Sequence, residues 1–236
     1  MIELVAFLGN PGKEYSRNRH NAGFLLGGKP PFGETLSWQK KFKGLYAAID
    51  RNRLEGFLPG AAEIQVPASG QIVSAAGPSG DSGPARFHFI KPQTYMNLSG
   101  ESVFQAASFF KIKSESVLVV HDELELPLGT VSLKFSGGLG GHNGLRSMKA
   151  CFNTADFWRV RIGIGRPDQR LPGEGGPPGS GEGIVDWVLS DFSAAETETL
   201  NQVLEAAAEL LLRALICGPQ KLLPEWAKKK IPAPAP

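Results

Sequence analysis

Residues 2–24 read IELVAFLGNPGKEYSRNRHNAGF, an apolar run followed by a turn and a polar stretch. The apolar part, residues 2–8, predicts a buried β-strand, because it is rich in aliphatic residues and ends at the turn formers Gly-Asn-Pro-Gly. Ligands of open α/β sheets bind beyond the carboxyl ends of the strands. The polar stretch occupies such a position, so we expect it to contribute to a functional site.

Uncharged polar side chains and a histidine are concentrated in this stretch. The amide of Asn10 offers both a donor and an acceptor, and His20 can exchange a proton near neutral pH. Together with Tyr15 and Asn21 they suit a site that handles a carbonyl or an ester. Asn and Gly also occur in turns for backbone reasons alone, so the stretch by itself leaves both interpretations open.

Short runs of β-branched or aromatic residues alternate with helical patterns along the rest of the chain. The alternation predicts an α/β fold, a single-domain three-layer sandwich whose twisted mixed sheet is largely parallel and flanked by helices. The predicted strands are residues 2–8, 44–49, 86–90, 117–121, 131–135 and 159–164. The predicted helices are residues 102–110, residues 143–152, and a long one that begins with a capping box at Ser193 and ends near Gly218.

Two stretches rich in Gly, Pro, Ala and Ser interrupt this pattern, at residues 52–84 and 166–183. We interpret both as loop insertions in one domain that spans residues 1–236, because the patterns on either side belong to one sheet. The tail, residues 228–236, joins a short lysine run to alternating Pro and Ala. We expect this tail to be disordered.

Composition limits the classes of function. The 236 residues carry a formal net charge of only +2, so composition alone does not indicate a nucleic-acid binder. The two cysteines are far apart, as is typical of free thiols in a reducing compartment, although the spacing also permits one disulfide. We expect a cytoplasmic protein, since no signal peptide is evident and no apolar run is long enough to span a membrane.

Three further polar segments each follow or end a predicted strand. They are KPQTYMNLSG at residues 91–100, VVHDELELP at residues 119–127, and GGLGGHNG at residues 137–144. The last is similar to a phosphate loop, but the sixth position of its G-x-G-x-x-G frame is Asn143. Because the chain also lacks GxxxxGK[ST], we expect no nucleotide cofactor.

A metal-dependent hydrolase is one function these segments allow. It would recruit their histidines together with Asp122, yet no pair of histidines has HxH, HxxxH or HExxH spacing. His121 and Asp122 are neighbours on a predicted strand, so one of them is expected to face away from any common site. The spacing makes metal the weaker alternative.

General-base hydrolysis without a metal is the second alternative. Asp122 would accept a hydrogen bond from one nitrogen of His20, and the other nitrogen would take a proton from water. Because GxSxG is absent, water is the expected nucleophile. The side-chain amides of Asn10, Asn97 or Asn143 could donate to the developing oxyanion. Taken singly, Asp122 is equally well an ordinary acid at a strand end.

Basic residues cluster near these segments. Arg159 and Arg161 share one face of a predicted strand, because residues two apart point to the same side. Lys134 could join them and form a patch suited to phosphates. Most basic runs are merely solvated surface, so the residues alone leave phosphate binding open.

Several blocks of the chain resemble the motifs of bacterial-type peptidyl-tRNA hydrolases, in the family's order. The blocks are GNPG with Tyr15 and RHNAG within residues 9–23, KPQTYMN (91–97), HDEL (121–124), GGHNGLRS (140–147) and RIGIG (161–165). The resemblance implies one α/β domain that hydrolyses the ester between a peptide and the 3′ end of tRNA, and so recycles tRNA from aborted translation. It implies peptidyl-tRNA as the partner, bound by its acceptor end, and no metal, cofactor, membrane or protein partner. We expect a monomer.

The resemblance also implies roles for individual residues. His20 is similar to the catalytic base, Asp122 to the carboxylate that holds it, and Asn10 to the residue that contacts the peptide. Lys134 and Arg161 are similar to the clamp on the phosphate of the tRNA end. The implied substrate contacts are Tyr15, Tyr95, Asn97 and Asn143, with Met96 lining the peptide groove and His142 shaping the wall of the site.

The chain departs from the family pattern after Phe24. The family continues into an amphipathic helix, whereas residues 27–31 here read GGKPP and cannot sustain one. We therefore expect this helix to be short or replaced.

A non-catalytic RNA-binding protein on the same scaffold is the competing function. A binder of this kind needs contacts to phosphates but no pair of groups for proton transfer. The joint presence of His20, Asp122, Asn10 and Asn143 therefore favours the hydrolase.

Overall fold

The computed structural model describes residues 1–58, 83–167 and 181–232. The strands are β1 Leu4–Phe7, β2 Gln39–Lys41, β3 Gly44–Asp50, β4 Arg86–Pro92, β5 Val117–Glu123, β6 Thr130–Phe135, β7 Trp158–Gly163 and β8 Lys229–Lys230. The helices are α1 Ala22–Leu26, α2 Phe32–Thr35, α3 Arg51–Glu55, α4 Ser99–Phe110, α5 Asn143–Phe152, α6 Gly181–Leu189, α7 Ala194–Cys217 and α8 Leu223–Trp226. Among these residues no helix combines the length and the hydrophobicity that a membrane span requires.

All the strands belong to one mixed sheet, in the order β2-β3-β4-β1-β5-β7-β6-β8. The central strands β4, β1, β5 and β7 are parallel to one another, and the outer strands pair antiparallel. The carboxyl ends of the central strands therefore meet at one edge of the sheet. The predicted α/β class, with a largely parallel centre, is confirmed.

Helices cover both faces of the sheet. On one face α7 buries an apolar stripe that includes Leu204 and Leu211, and it packs with α1 against β1, β5 and β7. On the other face α4 and α5 bury Val103 and Met148 against the opposite side of the sheet, in a cluster with residues of β1, β3, β4 and β5. Strand β5 is buried along its whole length, because it lies in the centre with a helical layer on each side.

Local sequence signals mark where three of the helices begin or end. The Ser193 hydroxyl accepts from the backbone of Glu196, whose carboxylate accepts from the Ser193 backbone in return, and this capping box begins α7. Helix α5 begins with His142 as its N-cap residue. Helix α1 ends at Leu26, directly before GGKPP, so the expected shortening of this helix is confirmed.

Part of the C-terminal tail forms a strand, and its end lies outside the described residues. Disorder was the wrong prediction for Lys229 and Lys230, because they form β8 at the edge of β6. The edge strand offers unpaired backbone groups that even a polar segment can satisfy. Of the interpreted insertions, residues 59–82 and 168–180 lie outside the described part, as do residues 233–236 of the tail. The borders of the insertions are helical, in α3 and α6.

Candidate active site

The carboxyl edge of the parallel strands gathers the polar segments of the sequence. The segment after β1 carries Asn10 and His20, the segment after β4 carries Met96, and Asp122 is the last residue but one of β5. Since β1 lies between β4 and β5 in the sheet, these segments converge above it. Helix α5 adds its first turn from one side, beginning at His142.

A buried trio of side chains stands at the centre of this edge. The His20 Nδ1 lies 2.9 Å from Asp122 Oδ1 and 3.1 Å from Asp122 Oδ2. On the other side His142 Nε2 lies 3.0 Å from the same Oδ1 atom. Both histidines therefore share one carboxylate, and the centres of their imidazole rings are 4.8 Å apart.

The hydrogen bonds determine which nitrogen of each ring carries the proton. An ionised Asp122 can only accept, so His20 Nδ1 and His142 Nε2 are both donors. The His142 Nδ1 accepts from the backbone of Gly144 and Leu145 at 3.1 and 3.4 Å, and this ring is therefore fully engaged. In His20 the remaining nitrogen, Nε2, keeps a free lone pair for a proton.

The charges in this trio support that assignment. Burial by itself would lower the pKa of His20, but the negative charge of Asp122 and the hydrogen bond to it outweigh burial and raise the pKa. Burial would raise the pKa of Asp122, yet the two histidines beside it hold that pKa well below its usual value. The carboxylate is therefore ionised at neutral pH and can accept hydrogen bonds from both rings.

Asn10 is held by two residues: Asn21 binds its backbone, and the backbone of Met96 binds its side chain. Asn21 Oδ1 accepts from the Asn10 backbone N–H at 2.8 Å, and Asn21 Nδ2 donates to the Asn10 carbonyl at 3.0 Å. The Asn10 Oδ1 accepts from the Met96 backbone N–H at 2.7 Å. These contacts fix the side-chain amide, and within the described residues its Nδ2 donates to no protein group. The Nδ2 group thus remains available for a ligand.

The other predicted substrate contacts differ in their exposure. Tyr15 is half-buried, Tyr95 is 63 % exposed, and Asn97 and Asn143 are exposed. The Met96 side chain is buried instead, and its sulfur lies so close to Gly144 that a Cβ there would be 2.6 Å away. Met96 therefore reaches the site through the backbone N–H that it donates to Asn10.

His121 does not bind the carboxylate of Asp122, but its ring lies beside the site. Its Nδ1 donates to the Asp122 carbonyl at 2.6 Å, and its ring packs edge-on against His142 with the ring centres 5.0 Å apart. Burial is the largest cause that holds the pKa of His121 well below its usual value, so this ring is neutral. Of these two neighbours on the strand, only Asp122 contributes to the cluster with His20 and His142, as expected from the alternation of side chains.

The three basic residues singled out from the sequence lie together below this edge. Burial, followed by the positive charges of Arg161 and Arg159, lowers the pKa of Lys134. Arg159 is buried and donates to the carbonyls of Ser136 and Gly138, so its charge is used within the fold. Lys134 and Arg161 are only partly buried, so both keep some exposed surface.

Arg161 also has an acidic neighbour that the sequence did not indicate. Its Nη1 lies 3.5 Å from Glu123 Oε2, and its Nη2 donates to Ser132 Oγ at 2.7 Å. Glu123 follows Asp122 directly, so the last two residues of β5 place one acid in the trio and one beside the basic residues. This carboxylate moderates the positive potential of the patch.

The trio is also the only set of side chains in the described part of the chain that could hold a metal ion. Its ligand atoms from His20, Asp122 and His142 all lie within 4.8 Å of one another. Two imidazoles and a carboxylate are a usual ligand set for a transition metal. The same three groups already satisfy one another by direct hydrogen bonds, and a metal would have to displace both shared protons.

The sequence indicates Asn21 but not its partner, and it does not identify Glu123 or Arg19 as side chains that hold the site in place. Asn21 brackets Asn10, Glu123 pairs with Arg161, and Arg19 forms an ion pair with Glu196 at 2.8 Å. For Asn21 a signal existed, since it stands in the first polar stretch. For Glu123 and Arg19 the partner comes from a distant part of the chain, and no local pattern indicates the pairing.

Comparisons with known proteins agree with this geometry. The family model described as peptidyl-tRNA hydrolase matches residues 4–233. A curated peptidyl-tRNA hydrolase of Treponema pallidum (strain Nichols) is 40 % identical over 233 residues, which is 98 % of this chain and 96 % of that protein.

Solved structures of the same name share the fold. The crystal structure of peptidyl-tRNA hydrolase from Acinetobacter baumannii is 28 % identical with a TM-score of 0.69, and the match covers 95 % of this chain and 91 % of that one. A peptidyl-tRNA hydrolase in complex with N-propanol is also 28 % identical, with a TM-score of 0.73 and coverage of 98 % and 97 %. The family model and the curated relative match almost the entire sequence, and the solved structures have a similar fold. The chain therefore belongs to the peptidyl-tRNA hydrolase family.

Proposed function

We propose that this protein hydrolyses the ester bond between a peptide, or an N-blocked aminoacyl group, and the 3′ end of tRNA, with His20 as the general base. The observation that carries the proposal is the buried contact of 2.9 Å between His20 Nδ1 and Asp122, two residues 102 positions apart in the chain. This contact leaves His20 Nε2 as an unprotonated nitrogen at the carboxyl edge of the sheet, where substrates of open α/β sheets bind.

The reaction requires one proton to travel through His20. Its Nε2 takes a proton from water as the water oxygen attacks the ester carbonyl, and Asp122 stabilises the imidazolium that forms. When the tetrahedral intermediate collapses, the imidazolium returns the proton to the departing 3′ oxygen of the ribose. The products are the peptide with a free carboxylate and the tRNA with a free hydroxyl.

Side-chain amides are suited to the rest of the transition state. The Asn10 Nδ2 group is held in place and has no protein acceptor among the described residues, so it can donate to the peptide. Asn143 stands at the amino end of α5, where the helix dipole favours negative charge. Asn97 and Asn143 are therefore the candidates for a donor to the oxyanion, an effect of about 3 kcal/mol for one donor.

Recognition of the RNA is assigned to the basic patch. Lys134 and Arg161 would bind the phosphate at the acceptor end, because two neighbouring cations suit a group with two negative charges. Tyr15 and Tyr95 offer ring faces against which a base or ribose can pack. We infer further that the chain acts as one domain and in the cytoplasm, where its substrate arises during translation.

Turnover of substrates with a free or a blocked amino group tests the proposal. Wild-type protein should cleave N-acetylated aminoacyl-tRNA, leave the free aminoacyl-tRNA largely intact, and keep its rate in EDTA. His20→Ala should lose cleavage by about 10²- to 10⁴-fold while it still binds the tRNA, since the base contributes that much to the rate.

Three outcomes would contradict parts of the proposal. Unchanged turnover by His20→Ala would refute the assignment of the base. Loss of activity in EDTA that returns with a metal would favour the metal-dependent alternative. Binding of tRNA without any cleavage by the wild-type protein would favour the non-catalytic RNA binder.

A further inference from the structure

Arg19 is a buried charged side chain that the proposed mechanism does not use. It precedes His20 in the chain and is only 3 % exposed, although arginine is rarely buried so completely. Its Nη2 donates to Glu196 Oε2 at 2.8 Å and its Nε to Ser190 Oγ at 3.3 Å. Both partners belong to the C-terminal third of the chain.

Two aromatic rings complete the surroundings of this guanidinium. Its central carbon lies 3.6 Å from the centre of the Trp187 ring and 4.7 Å from that of Phe192. The Trp187 Nε1 donates at 2.8 Å to the carbonyl of Gly165, which follows β7. A planar guanidinium both stacks on rings and forms directed hydrogen bonds, which an ammonium group cannot do together. Arg19 is thus tied to α6, α7 and the end of β7.

The backbone around Arg19 is fastened to the same part of the fold. The Arg19 N–H donates to the Ser190 carbonyl at 3.0 Å, and Asn18 forms an isolated β-bridge with Asp191. These bonds hold the chain just before the site, so Arg19 is anchored by its main chain as well as by its side chain.

The turn Arg19–Asn21 is a 3₁₀ helix of three residues. With three residues per turn, successive side chains point about 120° apart. Arg19 accordingly reaches α6 and α7, His20 reaches Asp122, and Asn21 reaches Asn10. Rotation of this turn about its axis would move both His20 and Asn21 from their partners.

We propose that Arg19 is a positioning residue, whose clamped guanidinium fixes the rotation of the turn and thereby the orientation of His20 toward Asp122. This inference rests on the proposed role of His20 as the base. Arg19 does not touch the trio or Asn10, so it acts through the turn and not on the substrate.

The variant Arg19→Lys keeps the charge and removes the stacking and the directed fork. Misplacement of a catalytic group by about 1 Å can cost 10²-fold in rate, so we expect kcat to fall about 10-fold or more. KM should stay within about twofold, since the clamp binds no part of the substrate. The matched control is Arg17→Lys. The Arg17 side chain is 81 % exposed and forms an ion pair with Asp191 at 3.0 Å. This control should leave both kcat and KM unchanged.

A titration of His20 by NMR provides a readout that loss of packing elsewhere would not change. The pKa of His20 is raised through its contact with Asp122, so a turn that rotates away should return the pKa toward the ordinary 6.5. We expect this downward shift of the His20 pKa in Arg19→Lys and not in Arg17→Lys. Circular dichroism should show that both variants are folded.

A second pair of variants tests the clamp from its other side. Glu196→Gln removes the charge opposite Arg19 and retains the capping box, because Gln serves equally at that position. It should lower kcat by about two- to fivefold, less than Arg19→Lys does, because the stacking of Arg19 on Trp187 and Phe192 remains. Ser193→Ala weakens the cap of α7 without contact to Arg19 and should leave kcat unchanged. If Arg19→Lys does not fold, this pair decides the question.

The inference is overturned if Arg19→Lys folds and keeps the kcat and the His20 pKa of the wild type, or if Arg17→Lys loses as much. It is overturned as well if Glu196→Gln retains full kcat or Ser193→Ala loses more. His20→Ala is measured in parallel: full turnover by that variant defeats the proposed base, whereas an inactive His20→Ala beside an unaffected Arg19→Lys defeats the positioning role alone.

Discussion

At the scale of the residue, the contact between His20 and Asp122 predicts a specific dependence on pH. His20 must be neutral to accept a proton, so activity falls as the pH drops through its raised pKa. Asp122→Asn removes the negative charge that raises this pKa, so the acid limb of kcat/KM should move to lower pH. The amide can also donate to His20 Nδ1 and so favour the wrong tautomer, which should reduce kcat by about 10²- to 10⁴-fold.

The pH–rate profile of the Asp122→Asn variant provides the measurement, with the wild-type profile as its reference. An acid limb at the same pH in both proteins would show that Asp122 does not set the pKa of the base. A shift to higher pH would contradict both causes assigned to this pKa, because without the charge of Asp122 burial alone lowers the pKa of His20.

Glu123 and Lys134 should act in opposite directions on the binding of RNA. Lys134→Ala removes one cation and should raise KM and reduce the slope of log affinity against log salt by about one, as for one lost phosphate contact. Glu123→Gln keeps the shape of the side chain and removes the charge beside Arg161, so it should lower KM at low salt. Lys113→Ala serves as the control, because Lys113 is exposed near the amino end of β5. Equal effects of Lys113→Ala and Lys134→Ala would place the phosphate site elsewhere.

At the scale of the element, α1 approaches the sheet at Gly23 more closely than any side chain would allow. A Cβ at this position would lie 2.4 Å from the Leu8 carbonyl oxygen and 2.6 Å from that of Val120. Both are backbone atoms of the segments that lead to Asn10 and Asp122. The glycine therefore brings the helix, and with it the preceding turn that carries His20, against the site.

Gly23→Ala should lower the free energy of unfolding by about 1–3 kcal/mol, because overpacking outweighs the gain in helix propensity. The control is Gly56→Ala at the end of α3, where the backbone has a φ of −62° and the nearest atom, the Arg53 carbonyl oxygen, would be 3.5 Å from the Cβ. That substitution should be neutral or stabilising by up to about 1 kcal/mol. Denaturant midpoints compare the two, and a loss in Gly56→Ala equal to that in Gly23→Ala would remove the steric explanation.

At the scale of the whole molecule, β8 closes one edge of the sheet. Thr130 and Val131 of β6 pair with Lys230 and Lys229, and the Ile231 N–H donates to the Gly129 carbonyl at 2.7 Å. Without this strand β6 would present unpaired backbone groups, which other chains can use for pairing. The lysines also place charge along the edge, which opposes such association.

A chain that ends at Ala227 should therefore lose about 1–2 kcal/mol of stability, as expected for the loss of a few hydrogen bonds, and should associate at high concentration. A chain that ends at Pro232 retains β8 and is the control. Light scattering during a concentration series distinguishes the two. The same mass for both chains at every concentration would mean that β8 does not protect the edge.

The amino-acid sequence by itself determined the parts that local geometry encodes. The six predicted strands follow from short runs of β-branched or aromatic residues bounded by turn formers, and α7 follows from its capping box and its apolar stripe. The helices α4 and α5 were indicated by the turns that precede them. Segments β2 and β8, by contrast, are two- or three-residue lysine-rich stretches, and they become strands only because a neighbouring edge is free to pair. The polar stretch 9–21 was recognisable as a site because it combines groups that packing alone does not require.

Tertiary structure alone decided which of these groups meet. His20 and Asp122 are 102 residues apart, and Arg19 and Glu196 are 177 apart, so their contacts depend on the order of the strands and the course of the helices between them. The sharing of Asp122 by His142, the position of Glu123 beside Arg161 and the buried place of Met96 arise in the same way. Periodicity indicates the side of a helix or strand on which a residue lies. The partner of that residue, however, belongs to an element far away in the chain. For this reason the type of chemistry could be inferred from the residues, whereas the geometry of the site depended on the fold.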